Sequence, residues 1–561
     1  MALFFVFALF VAQAADYAMG SVWVLGTLLA AAALLGFSLR AAALPSIAPW
    51  AFAFAVSAAC IMANARFGLN LLDEGFTIGT LSGMLEGGIL YSDTSSMLTP
   101  GLFFAAFPFA KVFGLSVWTL RWFMGLTMAL VCAGSGCIVH RMTGHPLAAA
   151  MTWLAALTLS AGLWFAFFTY GWLAVAFGLL ALFSIYGYFT DRKPFWAALA
   201  GVSVALSGLT KQTLGVYFFA AALASAAFGY WSNKNKTLTG VAGSGAALGT
   251  PKPLRVFLMP FFAGLLGTAA AFAAYLAVTG SAGAFVEQSV VLPLTSFGAA
   301  TALPPALPAV PRSFDWATET DAYAFIFYAH IAIAAAGAAA LIRSAVKKRP
   351  DARLGLLLFF ALAALMQNFE RASINKGRTS FVFALLLLGY LIWLALKAPR
   401  RWAAAGAAAA LLLCAAAGSA RLDAALFKTY GVPWEKVAPV RVSAHDANRL
   451  PAIIRALENA AGQGEKVFVY PASSLLYQLA GVENPVRYKN IIVGSVNEAV
   501  EREVIEALES KKVRFALYDE INIDGLAFSA YAPDIDAYIR KSFRVVRRFG
   551  ENTVLLERKS P

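Results

Sequence analysis

The sequence predicts a polytopic α-helical membrane protein of about thirteen spans, closed at its C-terminal end by a small α/β domain. Three observations predict it. Of 561 residues, 60% are hydrophobic and 13% charged, with a mean hydropathy of +0.70, a balance that excludes an ordinary water-soluble protein. Apolar windows of nearly twenty residues recur without an internal charge. That is the length needed to cross a hydrocarbon core about 30 Å thick with every backbone amide satisfied inside the helix. Finally, charge density rises sharply after about residue 420.

The apolar segments run in order from Ala2 to Ala15, Gly20 to Leu39, Ile47 to Ala65, Trp122 to Val139, Pro146 to Trp164, Leu173 to Thr190 and Phe195 to Thr210. They continue from Thr213 to Trp231, Val256 to Thr279, Tyr323 to Ile342, Leu354 to Phe369, Thr379 to Leu396 and Trp402 to Ala420. The first resembles the core of a signal peptide. No Lys or Arg precedes Arg40 to form a positive n-region, so it reads as a short first span. The pair flanking Lys211 is consistent with one interrupted hairpin.

With the N-terminus placed inside, the predicted inner loops hold about twice as many Lys and Arg as the outer ones, so the tail is expected outside. This bias accounts for the net charge of +14 without nucleic acid. Residues 1–420 are expected to form the membrane domain and residues 421–561 an extracytoplasmic one. Within the first, the outer loop 66–121 is too long for a turn and too apolar for a linker. Its stretches Glu74 to Glu86 and Pro100 to Phe113 have the spacing of helices lying in the membrane interface. In the tail, Lys466 to Tyr470 and Val513 to Tyr518 predict strands, and Asn497 to Ser510 and Pro533 to Lys541 predict helices. Val545 to Arg548 with Thr553 to Glu557 predict a hairpin around Gly550. Thr237 to Pro253 reads as a flexible loop and Leu303 to Pro311 as an extended segment.

Chemistry concentrates at the outer boundary. Asp73 and Glu74 follow the third apolar segment, where two adjacent acids are costly unless hydrated or functional. A carboxylate at such a boundary can deprotonate a hydroxyl. The bland alternative is that Asp73 caps a helix beginning at Glu74. Cations that could meet a phosphate are Arg121, Lys211 and the cluster Arg371, Lys376 and Arg378 in ERASINKGR, three positive charges against the usual topology bias. Glu287 in AFVEQSVVLP is a further outer acid, and Tyr91 and Asp93 are placed to orient the Asp73 loop. Trp164, Phe165, Phe167, Phe168, Tyr170 and Trp172 read as an interfacial aromatic belt. Cys60, Cys132, Cys137 and Cys414 sit in apolar stretches without a CxxC, and the four histidines have no metal-ligand spacing.

The run LLDEGFTIGTLSGMLEGGILYSDTSSMLTPGLFFAAFPFAKVFG, with Arg121 a few residues on, resembles the first outer loop of the GT-C glycosyltransferases. It is most similar to the family 39 group of protein mannosyltransferases and of aminoarabinose and galacturonic acid transferases acting on lipid A. The resemblance covers residues 71–121 and a GLTKQ step at 208–212. It implies a GT-C-like fold and a hexosyl- or pentosyltransferase of the bacterial inner membrane. The donor would be a polyprenyl-phosphate sugar, the acceptor an envelope lipid, polysaccharide or protein, and Asp73 would stand near the reacting atoms. Family members often carry another acid in the next outer loop, but here FFTYGWLAV (167–175) has none. The resemblance leaves a divalent cation open, since some GT-C enzymes use one; Asp73 and Glu74 alone are too few ligands to argue for it. The competing reading is a lipid-linked sugar transporter or flippase, which predicts charges inside several helices rather than at their outer ends.

Overall fold

The structure, a computed structural model, describes residues 47–161, 170–238, 253–297, 308, 319–370, 373–397, 429–462, 465–491, 495–520, 522–523, 526–527 and 530–559. Three of the thirteen expected spans lie outside them: Ala2 to Ala15, Gly20 to Leu39 and Trp402 to Ala420. Also outside are Arg371, most of the Thr237 to Pro253 loop, nearly all of Leu303 to Pro311 and the aromatics from Trp164 to Phe168. Each of the other ten spans coincides with a helix.

Among the described residues, seven helices are long and apolar enough to cross a bilayer: Val117–Thr143, Tyr170–Asp191, Gln212–Leu238, Arg255–Val278, Glu319–Val346, Ala352–Glu370 and Ile374–Leu396. Ala48–Asn64, Pro146–Ala161 and Pro194–Thr210 are apolar but shorter. Large apolar side chains such as Leu130, Val216, Met259 and Leu266 stay exposed on these helices, as lipid-facing positions do. This is a multi-pass membrane protein.

The described chain divides into two compact units. The first comprises Met1–Ala65, Met124–Ala271 and Pro305–Lys428. Its helices pack through small residues. An ideal Cβ on Gly201 would lie 1.9 Å from the carbonyl oxygen of Phe261, and one on Gly264 would lie 2.1 Å from that of Ala198. Pro194–Thr210 and Arg255–Val278 therefore touch backbone to backbone, the close approach that drives helix association where lipid removes the hydrophobic incentive. Hydroxyls in these helices bond to the preceding turn, as Ser57 does to Ala53, Ser135 to Val131 and Thr152 to Ala148, which satisfies these donors where no water can. Trp153 Nε1 donates to Ser57 Oγ at 2.9 Å and ties Pro146–Ala161 to Ala48–Asn64.

The second unit comprises Arg66–Phe123, Phe272–Pro304 and Thr429–Pro561, so the long outer loop groups with the tail. The loop folds into helices Asp73–Leu85 and Gly101–Phe113, within two residues of expectation. The tail forms a four-stranded mixed sheet in the order Val467–Tyr470, Phe515–Asp519, Thr553–Arg558 and Phe543–Arg548, the first pair parallel and the others antiparallel. Val467–Tyr470 is buried on both faces, in keeping with its unbroken apolar sequence. Helices Glu498–Ser510 and Pro533–Ser542 lay Val504, Leu508, Ile535 and Ile539 against Phe468 and Tyr470. The first of these starts where Asn497 Oδ1 accepts from Val500 N at 2.9 Å. Gly550, at φ +107°, makes the expected hairpin bend. The helices Ala444–Ala461 and Leu475–Ala480 were not anticipated from the sequence.

Candidate active site

The two acids of the DE pair have different environments. Asp73 is exposed at the first position of its helix, whereas Glu74, one position on, is 2% exposed. Glu74 accepts from Arg121 Nε at 2.6 Å and from Arg121 Nη2 at 2.7 Å, a bidentate pairing that also receives the Asn70 amide at 3.1 Å. Arg121 Nη2 donates as well to the Gly68 carbonyl at 2.8 Å. The helix is not started by Asp73 acting as a cap. Asn70 does that work: its Oδ1 accepts from Leu72 N and Asp73 N, and its Nδ2 donates to Asp73 Oδ2 at 2.9 Å. A carboxylate on a fixed turn, backed by a buried ion pair, is thus presented outward.

The next turn is equally fixed. Tyr91, fully buried at φ +77°, donates its hydroxyl to the Leu98 carbonyl at 3.0 Å, and Asp93 accepts from Ile89 N at 2.8 Å. The irregular helix following Ala282–Val286 exposes Glu287 but buries Gln288. Gln288 Oε1 accepts from Ser96 N at 2.9 Å and its Nε2 donates to the Tyr91 carbonyl at 2.8 Å. Gln288, not its acidic neighbour, is therefore the residue that grips this loop. Nothing in the sequence chose between two adjacent polar residues about 100° apart on a helix.

The tail clasps the loop on both sides of the acids. Arg441 N donates to the Arg66 carbonyl at 2.6 Å, and Gly68 N donates to the Arg441 carbonyl at 2.9 Å. Leu475 N donates to the Leu71 carbonyl, Asn490 Nδ2 to that of Leu72 at 3.1 Å, and Ser95 N to that of Arg487. An ideal Cβ on Gly75 would fall 2.3 Å from Leu475 N, so this glycine permits the close approach.

In the first unit, two of the predicted cations gather with an acid. Lys211 separates Pro194–Thr210 from Gln212–Leu238; it is buried and lies 5.6 Å from the centre of the Tyr170 ring. It lies within electrostatic reach of Lys376 and Glu370, which pair at 3.2 Å where Ala352–Glu370 gives way to Ile374–Leu396. Arg378, one turn into the latter helix, is 3% exposed. His330 is a core residue whose Nε2 meets the Ala361 carbonyl at 2.9 Å. Among the described residues no three His, Cys, Asp or Glu side chains converge as a metal site.

No protein-family model and no curated protein matches the chain. Solved structures do. ArnT from Cupriavidus metallidurans in the apo state aligns with a TM-score of 0.55 at 13% identity, over 91% of this chain and 98% of that one. ArnT bound to undecaprenyl phosphate gives 0.51 at 14% identity, over 96% and 98%. The oligosaccharyltransferase AglB from Archaeoglobus fulgidus, in complex with an inhibitory peptide and a dolichol-phosphate, gives 0.51 at 12% identity, over 90% of this chain and 73% of that one.

Proposed function

From the premise that the chain has the GT-C fold of membrane glycosyltransferases, we propose that it transfers a sugar from a polyprenyl-phosphate donor to a cell-envelope acceptor at the outer face of the inner membrane. The observation that carries the reading is the outward-facing Asp73 carboxylate on a turn locked by Asn70 and by the Glu74–Arg121 pair. Catalytic groups perform best when their supports are preorganised in this way.

Asp73 acts as general base. It takes the proton of an acceptor hydroxyl, whose oxygen attacks the anomeric carbon while the bond to the phosphate oxygen breaks with its electron pair. Inversion at that carbon is the outcome the family resemblance implies. Lys211, Lys376 and Arg378 offset the charge that develops on the departing polyprenyl phosphate. Glu370 keeps Lys376 oriented. Arg121, committed to Glu74, positions the acids rather than meeting the phosphate, and Glu74 supports Asp73 without reacting. Undecaprenyl phosphate in ArnT and dolichol-phosphate in AglB support a donor of this class.

The test is transfer of radiolabelled sugar from polyprenyl-phosphate donors to membrane extracts by the purified protein and by Asp73→Asn. Loss of turnover with retained donor binding supports the assignment, and undiminished turnover removes Asp73 from the mechanism. Failure of the unaltered chain with every donor moves the reading to a lipid-linked sugar transporter or flippase.

A further inference from the structure

The sheet of the tail ends on an open strand. Among the described residues, Phe543–Arg548 pairs with Thr553–Arg558 on one side and with no strand on the other. After the buried Phe543, all five of its residues are exposed. Val545 is 48% and Val546 44% exposed, and they are the only large apolar side chains so open to solvent among the described residues of the tail. The ladder also fixes which main-chain groups are free. Lys559 N donates to the Ser542 carbonyl at 2.9 Å, and Phe549 N donates to the Thr553 carbonyl at 2.8 Å. Between these two points residues alternate in facing the neighbouring strand or facing away, and the one extra residue, between Val545 and Arg547, is absorbed by a bulge. Val545 and Arg548 therefore turn their amide and carbonyl to the open side.

Charge on this edge has one sign. Between residues 540 and 559 stand seven Lys and Arg against Glu551 and Glu557. Glu557 is already engaged by Arg514 and Arg544. Arg547 lies 5.0 Å from the centre of the Phe549 ring, and neither it nor Arg548 has an ion pair among the described residues.

We propose that this edge docks an acidic, extended segment of a partner protein, added to the four-stranded sheet as a further strand beyond Phe543–Arg548. The main chain of that segment pairs with Val545 and Arg548, its carboxylates meet Arg547 and Arg548, and its apolar side chains cover the two valines. Other occupants use only part of what the edge offers. A second copy of this chain, pairing antiparallel about the middle of the strand, sets Arg544 opposite Arg547, and like charges directly opposed repel. The five successive exposed residues occupy both faces of the strand, whereas a flat anionic lipid surface covers one face and supplies no main-chain partner. A polyanionic glycan meets the arginines but neither the valines nor the free amides. Charge on an exposed edge guards it against indiscriminate pairing. The same arginines that exclude a copy of the chain select a strand of opposite sign.

The experiment is fluorescence anisotropy on the full chain in detergent, with a labelled octapeptide that alternates glutamate and valine. Two control peptides accompany it: one with lysine in place of glutamate, and one N-methylated at every amide, which keeps the charge but cannot donate to a strand. Two variants test the edge itself. Val545→Pro removes an amide that faces away from the ladder, a position where an edge strand tolerates proline, and Arg548→Glu reverses an exposed charge. The expected result is binding of the acidic peptide, weakened about tenfold or more in both controls and in both variants. Should Val545→Pro fail to fold, the N-methylated peptide tests the main-chain pairing and Arg548→Glu the charge. Absence of binding at millimolar peptide overturns the proposal, as does undiminished binding by Arg548→Glu. Equal binding of the N-methylated peptide would replace the added strand with a site for any polyanion. Self-association of the unaltered chain that Val545→Pro abolishes would replace the partner with a second copy. The readout is binding alone, so it stands or falls apart from sugar transfer.

Discussion

Glu74 and Arg121, 47 residues apart, close on one another through two hydrogen bonds of 2.6 and 2.7 Å in a space sealed from solvent. A buried pair of this kind is not a large net source of stability, but removing one member strands the other charge and costs about 3–5 kcal/mol. Arg121→Ala and Glu74→Ala are therefore both expected to lower the thermal midpoint sharply, while Asp73→Asn, one residue away and exposed, leaves it nearly unchanged and loses turnover. Thermal unfolding of the three purified variants checks this. A stable Glu74→Ala protein would contradict the structural role given to the pair.

Gly75 predicts a steric effect. Its missing Cβ is replaced in space by the backbone nitrogen of Leu475 at 2.3 Å and by Ser474 Oγ at 2.8 Å. Backbone cannot yield as a flexible side chain does, so Gly75→Ala should cost roughly 1–3 kcal/mol and loosen the tail from the loop. Limited proteolysis should then release a C-terminal fragment sooner than from the unaltered chain. Unchanged cleavage would show that the contact gives way without cost.

Gln288 and Glu287 offer a paired comparison. Gln288→Leu leaves Ser96 N and the Tyr91 carbonyl without their partner, at about 1–3 kcal/mol for each buried group. Hydrogen exchange between residues 89 and 98 should accelerate. Glu287→Gln, altering an exposed neighbour, should leave exchange and activity as they were. Equal effects from the two substitutions would reverse the assignment.

Lys489 gives the tail a pH dependence. Its stem packs on Gly79, and burial holds its ammonium below the ordinary lysine value of 10.5, with the charge of Glu86 opposing that shift. A folded pKa below the unfolded one means that the unfolded chain binds more protons between the two, so stability rises with pH through that window. The thermal midpoint should accordingly gain more between pH 8 and 10 in the unaltered protein than in Lys489→Met. A steeper gain in the variant would refute the burial argument.

The sequence made visible whatever depends on local pattern. Apolar windows located ten of the described apolar helices, seven of them long enough to cross a bilayer, and turn and cap residues such as Asn497 and Gly550 located most of the tail, because period and backbone geometry are written into neighbouring residues. The cations Lys211, Lys376 and Arg378 were legible as charges in unfavourable places. Roles that arise from pairing across distance were not. Arg121 looks like a phosphate ligand until Glu74 is found against it, and Asn70 looks like an ordinary loop residue until two amides are seen converging on its side chain. Gln288 was passed over beside a more conspicuous acid, and Asn490 carried no signal at all, since its surroundings are assembled from three remote segments.

The clasp between Leu72 and Asn490 joins positions 418 residues apart. At ribosomal rates of about 5–20 residues per second, the acid-bearing loop is synthesised roughly 20–80 s before the residue that fastens it. Throughout that interval the Asp73 turn is held only by contacts within its own loop, those of Asn70 and of the Glu74–Arg121 pair. A product whose synthesis stops early never acquires the clasp, so completion of the loop's fastening is a late event in biogenesis, set by the arrival of the tail.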